Sequence, residues 1–140
     1  MKSIHILLIE DNEGDILLTT EAFEESRITN QITVIRDGKA AIDYFGNLGA
    51  KDDIPQLVLL DINLPKKNGH EVLLYIKNNE KYKYIPVIVL TTSSSEKDIL
   101  LSYQNHVNCF ITKPIELHEF MQAIAKIEDF WINIVSIPKM

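Results

Sequence analysis

Four short apolar runs in this chain each stop on a residue that carries charge or offers a hydroxyl. Residues 4–9 run into Glu10 and Asp11, residues 57–60 into Asp61, residues 87–90 into Thr91, and residues 107–112 into Lys113 and Pro114. The first run is nearly continuous in its apolar character, as expected of a strand covered on both faces in a parallel sheet. In such a sheet the strand ends share one edge, and the carboxyl edge is where open α/β folds hold their ligands. Three carboxylates brought to that edge repel one another unless a cation answers them, and a hard divalent metal is the usual answer.

The segments between the runs read as helices. Within residues 14–26, Ile16, Leu17, Thr20 and Phe23 recur at helical spacing. A short second strand covers residues 32–35, and Asp37 caps a helix carrying Ala40, Ala41, Tyr44 and Phe45 that Gly46 and Gly49 help to end. Residues 64–69 form a loop, with Val72, Leu73 and Ile76 marking the helix behind it. Ser93, Ser94, Ser95 and Glu96 offer caps for a helix over residues 96–104, and a last helix starts near Glu116. Strands alternating with helices require right-handed crossovers. The pattern predicts a doubly wound, flavodoxin-like α/β fold of the (βα)5 type, with a five-stranded parallel sheet of order 2-1-3-4-5. Its switch point falls beside Glu10, Asp11 and Asp61.

A chain of 140 residues is expected to form a single domain over residues 1–140, with an apolar carboxyl-terminal extension from about residue 129. The formal net charge of −6 disfavours nucleic acid and anionic membrane surfaces as partners. The single cysteine, Cys109, permits no internal disulfide and suits a reducing compartment. The first apolar run is too short for a signal peptide or a membrane span, so a cytoplasmic location is expected.

Taken singly, the residues at the strand ends have plain readings. Glu10 and Asp11 suit a polar strand exit and helix cap, Asp61 a turn, Thr91 a strand position and Lys113 a solvated charge. His5, His70, His106 and His118 show no metal-ligand spacing and read as structural or exposed. Cys109 reads as a small buried hydrophobe.

Taken together, Glu10, Asp11, Asp61, Thr91, Lys113 and Pro114 follow four different strands in one order, and the combination resembles the receiver domain of bacterial response regulators. The resemblance covers residues 3–129, with Asp61, Ile62, Asn63, Leu64 and Pro65 followed by Asn68 and Gly69 as the phosphoacceptor strand and loop. The stretches at residues 12–15, 90–93 and 103–108 are most similar to small receivers that partner bacterial and cyanobacterial phytochromes. The resemblance implies that Asp61 accepts a phosphoryl group from a sensor histidine kinase, with slow autodephosphorylation and no enzymatic turnover. It implies Mg2+, or Mn2+ in its place, held by Asp11, Asp61, the backbone carbonyl of Asn63 and, through water, Glu10. Lys113 is the second cation, directed by a cis peptide to Pro114, and Thr91 and Phe110 form the switch. Two residues depart from the commonest family pattern. Thr92 stands where Ala or Gly is frequent, and Phe110 replaces a tyrosine, removing the hydroxyl that stabilises an inward side chain.

No output domain follows residue 140, so the expected readout is a contact with a downstream protein or a phosphate relay. Two other classes fit less well. A haloacid-dehalogenase-type phosphatase needs a second acid two residues after its nucleophile, where Asn63 stands, and a flavin carrier needs a Ser-, Thr- and Gly-rich first loop in place of Glu10, Asp11, Asn12 and Glu13. In the last helix Leu117, Phe120, Met121, Ile124 and Ile127 form one core-facing stripe. Beyond it, Phe130, Trp131, Ile134 and Val135 suit a homodimer interface, the alternative being a tail folded over its own domain.

Overall fold

A computed structural model describes residues 3–25, 29–49 and 51–138. Five strands, β1 (Ser3–Ile9), β2 (Thr29–Ile35), β3 (Leu57–Leu60), β4 (Val87–Thr91) and β5 (Cys109–Thr112), form one parallel sheet of order β2-β1-β3-β4-β5. Between and after them lie α1 (Glu13–Glu24), α2 (Gly38–Gly46), α3 (Gly69–Asn78), α4 (Glu96–Gln104) and α5 (Leu117–Glu128). This is the doubly wound topology predicted from the apolar runs.

The two-residue period of the strands divides the core into two halves. Leu7, Ile9, Val58, Leu60, Val87 and Val89 face one side, where they meet Ala41 and Phe45 of α2 and Val72, Leu73 and Ile76 of α3. Ile6, Leu8, Leu57, Leu59, Ile88 and Leu90 face the other, against Ile16 and Phe23 of α1 and Phe120, Ile124 and Ile127 of α5. With both faces covered, β3 and β4 are buried at every position. That explains their unbroken apolar runs.

Local sequence sets the helix starts. Asn12, rather than Glu10 or Asp11, caps α1 by accepting from the Asp15 N–H, and Asp37 caps α2. Asn68 and Glu71 form a reciprocal capping box on α3, and Ser95 caps α4. The expected end of the first helix at Ser26 lies outside the described residues. Strand β2 begins three residues before the predicted one: Thr29, Asn30 and Gln31 pair with Ser3, Ile4 and His5 through the backbone. β5 begins later than predicted, because Asn108 places its side-chain oxygen, not a ladder carbonyl, on the Val87 N–H at 2.8 Å.

After α5 the chain makes a π-helical turn over Asp129–Ile134. The wider turn sends Ile132 into the core half formed by α1 and α5, and Trp131 and Ile137 pack partly against the same surface. Phe130 and Ile134 remain exposed, and Val135 is half-buried. The tail therefore divides: Trp131, expected at an interface, packs in part on its own domain. No described helix is long and apolar enough to cross a membrane.

Candidate phosphoacceptor site

The parallel register brings the ends of β1, β3, β4 and β5 to one edge. There Glu10 and Asp61, each following a buried strand, are themselves almost fully buried, and Thr91 at the end of β4 is wholly so. Asp61 is fixed through its backbone N–H, which donates to the Ile9 carbonyl at 3.0 Å. Behind it, Gly69 starts α3 so close to the end of β3 that a Cβ would lie 2.3 Å from the Asp61 carbonyl oxygen. No other residue type fits that approach.

Carboxylate oxygens of Glu10, Asp11 and Asp61 lie within 4.8 Å of one another, with Asp11 exposed at the mouth of the cluster. An all-oxygen, anionic donor set of this kind suits a hard divalent ion. Asn63, on the exposed loop after Asp61, donates its backbone N–H to Asp61 Oδ1 at 3.4 Å. The loop itself is braced from the side by α2: the Gly38 N–H donates to the Pro65 carbonyl, and a Cβ on Gly38 would overlap the Lys67 carbonyl oxygen.

Lys113 is the cation of the site. Its amine, almost without solvent contact, donates to Glu10 Oε1, to Asp15 Oδ2 at 2.8 Å and to Asp61 Oδ2 at 3.4 Å. Burial works against the charged amine, but its hydrogen bonds to Asp15 and Glu10 and the charges of Asp61 and Glu10 outweigh it, and its pKa is raised. Glu10 moves the other way from an ordinary carboxyl: burial first, then its hydrogen bond with Asp61, push it up to about 7 against the opposing pull of Lys113. Glu10 Oε2 also accepts from the Asp11 N–H at 3.1 Å and the Asn12 N–H at 3.3 Å, which orients it.

The expected cis peptide before Pro114 is absent: no peptide among the described residues is cis, so Lys113–Pro114 is trans. Trans is the intrinsically favoured form. The lysine is directed instead by its backbone N–H, bound to the Thr91 carbonyl at 2.6 Å, and by the carboxylates around its amine.

The Thr91 hydroxyl accepts from the Ser93 N–H at 3.4 Å, Thr92 is exposed beside it, and Phe110 is half-buried against the core half lined by α2 and α3. Nothing in the strand-end pattern marks Asp15 as a member of the site. Its signal lay in the capping pattern, since an acid three residues after Asn12 sits in the first helical turn, pointing back at the edge.

The sequence matches the profile of the response regulator receiver domain over residues 6–125. Response regulator Rcp1 of Synechocystis sp. is 44% identical over 135 residues, 95% of this chain and 92% of that protein. The Mn2+-bound crystal structure of Rcp1 superposes with a TM-score of 0.92 at 43% identity, covering 96% of this chain and 99% of that one. The phosphorylated cyanobacterial phytochrome response regulator RcpA superposes with a TM-score of 0.93 at 44% identity, covering 97% and 99%. The probable methanogenesis regulatory protein FilR2 of Methanothrix harundinacea is 44% identical over 129 residues, 91% of this chain and 83% of that protein.

Proposed function

The chain belongs to the response regulator receiver family, and from that membership we propose that Asp61 accepts a phosphoryl group from the phosphohistidine of a sensor histidine kinase. The observation that carries this assignment is the buried Lys113 amine set among Glu10, Asp15 and Asp61, a cation placed against the acceptor carboxylate. An Asp61 oxygen attacks phosphorus in line, the P–N bond to the donor imidazole breaks, and its electron pair stays on the ring nitrogen. The product is an acyl phosphate. Charge in the loose transition state spreads over the phosphoryl oxygens, so positioning and neutralisation do most of the catalysis. Lys113 supplies one positive charge from its pocket and pairs with a phosphoryl oxygen afterwards.

The remaining charge is the task of a divalent ion. Asp11, Asp61, the backbone carbonyl of Asn63 and, through water, Glu10 would hold it, and Mg2+, with Mn2+ as a substitute, would supply neutralisation of the phosphoryl oxygens. The anionic oxygen cluster supports this choice. The protein is a phosphoacceptor with slow autodephosphorylation rather than an enzyme with turnover.

The phosphoryl group adds about −1.5 to −2 charge and three acceptor oxygens. Thr91 turns its hydroxyl to one of them and Phe110 moves into the vacated space. A downstream protein then reads the altered surface in the cytoplasm. Likeness to RcpA supports a phytochrome as the kinase. We also propose a homodimer through the exposed part of the tail, Phe130 and Ile134 with Trp131 and Val135 at its margin. Phe130→Glu with Ile134→Glu leaves Ile132 in place, so sedimentation of this pair tests it: a wild-type protein that is already monomeric at tens of micromolar, roughly the range of a moderate interface, rejects the dimer.

Acetyl phosphate or phosphoramidate in Mg2+ is expected to give a base-labile adduct on the wild-type protein. Unchanged labelling of Asp61→Asn, or full labelling in excess chelator, would overturn the assignment.

A further inference from the structure

Outside the acidic cluster a second set of polar side chains meets beside the loop that carries Thr91 into α4. His70, the second residue of α3, is only partly exposed, and its Nε2 lies 2.9 Å from Asp98 Oδ1. The other oxygen of Asp98 accepts from the Ser93 hydroxyl at 2.6 Å. A carboxylate only accepts, so His70 Nε2 is the donor, while His70 Nδ1 is buried without a hydrogen-bond partner. All the ring's directed polar interaction therefore goes to Asp98. The Ser93 hydroxyl and the His70 hydrogen bond hold the Asp98 carboxyl below its ordinary range.

Three different elements join at this point. His70 rides on the start of α3, which Gly69 presses against the Asp61 backbone and ties by its N–H to the Ile62 carbonyl at 2.8 Å. Asp98 belongs to the first turn of α4, anchored through its N–H to the Ser95 hydroxyl at 3.0 Å. Ser93 lies in the loop, with its N–H on the Thr91 hydroxyl at 3.4 Å and its carbonyl accepting from the Thr112 hydroxyl at 3.1 Å. A turn of the Thr91 hydroxyl toward Asp61 breaks its hydrogen bond with the Ser93 N–H, so the placing of Ser93 bears on where that hydroxyl rests. The fixed side of α3 holds Ser93 in that place through His70 and Asp98.

We propose that His70, Asp98 and Ser93 are positioning residues that form a latch, holding the loop after β4 and the Thr91 hydroxyl in the unphosphorylated arrangement. The latch rests on the assignment of Asp61 as phosphoacceptor and adds to it a determinant of how readily that site is filled. Phosphorylation shifts the equilibrium only by what it contributes beyond the latch. Opening the latch therefore raises the population of the receptive arrangement before any phosphoryl group arrives.

The test compares wild type with His70→Leu, Asp98→Ala and Ser93→Ala for the rate of labelling by acetyl phosphate in Mg2+. Each is expected to label about ten- to a hundredfold faster, the factor that corresponds to losing one hydrogen bond to a charged group. His70→Gln keeps a donor within reach of Asp98 and is expected to return the rate toward wild type, which a mere packing role for the ring would not predict. Rates at or below wild type in all three variants, or a His70→Gln rate equal to that of His70→Leu, would overturn the latch. Relaxation dispersion of the Ser93 amide in the unlabelled proteins gives a second reading that does not depend on Asp61. Increased exchange in the variants supports the latch and unchanged exchange rejects it, whereas equal labelling of Asp61→Asn and wild type rejects the phosphoacceptor assignment instead.

Discussion

Two buried or half-buried lysines stand at opposite ends of the same sheet. Lys113, at the carboxyl edge, has three carboxylates around its amine and a raised pKa. Lys77, near the end of α3, reaches the amino edge, where its amine donates to the carbonyls of Ile85 at 2.8 Å and Lys83 at 3.2 Å and to Asn108 Oδ1 at 2.9 Å. Its partners are all neutral, and burial lowers its pKa to about 8. Both amines are satisfied as hydrogen-bond donors, but only one is answered by charge. The contrast separates two uses of a lysine: Lys77 ties together the segments that lead into β4 and β5, whereas Lys113 answers the charge of three carboxylates gathered at one edge.

Removal of each amine should have unequal consequences. Lys113→Met leaves Glu10 and Asp61, both almost without solvent, facing one another and the half-buried Asp15, and we expect a loss of about 3 kcal/mol of stability in the absence of divalent ions. Urea unfolding measures it, and Mg2+ is expected to restore part of the loss. Lys77→Met removes three hydrogen bonds but strands no charge, and a smaller loss of about 1–2 kcal/mol is expected, with labelling by acetyl phosphate unchanged. If Lys77→Met proves the more destabilising of the two, the distinction between an answering charge and a tie fails.

A pH series sharpens the same contrast. Glu10 has a folded pKa of about 7 against an ordinary 4.5, so between those values the folded protein holds a proton that the unfolded chain has released. Metal-free stability should therefore fall as pH rises from about 4.5 to about 7, and divalent affinity should rise over that window as the ion displaces the proton. Glu10→Gln is expected to flatten both trends, read by urea titrations and by calorimetry with Mg2+. For Lys77 the sign is opposite. Its folded pKa of about 8 lies below the ordinary 10.5, so the unfolded chain holds the extra proton between them and stability should gain with pH across that range. The difference between wild type and Lys77→Met isolates this smallest effect. A flat difference would mean that the neutral oxygens hold the ammonium as well as water does.

The carboxyl edge was legible in the sequence because its logic needs no side-chain detail. Once the four runs are parallel, Glu10, Asp61, Thr91 and Lys113 must share an edge. Residues whose partners depend on how a helix is rotated against the sheet were not legible. Asp15 reaches Lys113 from α1, and His70 reaches Asp98 from α3, across 98 and 28 positions of chain. The start of β2 carries no apolar signature, because its polar residues pair through backbone groups. The expected cis peptide came from the family resemblance, and nothing in the local sequence required it. In the tail, an apolar pattern on all sides did not reveal that the π-helical turn rotates Ile132 inward while leaving Phe130 outside.

The most direct test of the central claim traps the acyl phosphate itself. Wild-type protein is incubated with acetyl phosphate and Mg2+, reduced with borohydride and digested for peptide mass mapping. Reduction of an aspartyl phosphate yields homoserine, and the account predicts homoserine at position 61 alone, lost when Mg2+ is chelated. Homoserine at Asp11 or Asp15, or none at position 61 under conditions that label the protein, would contradict it.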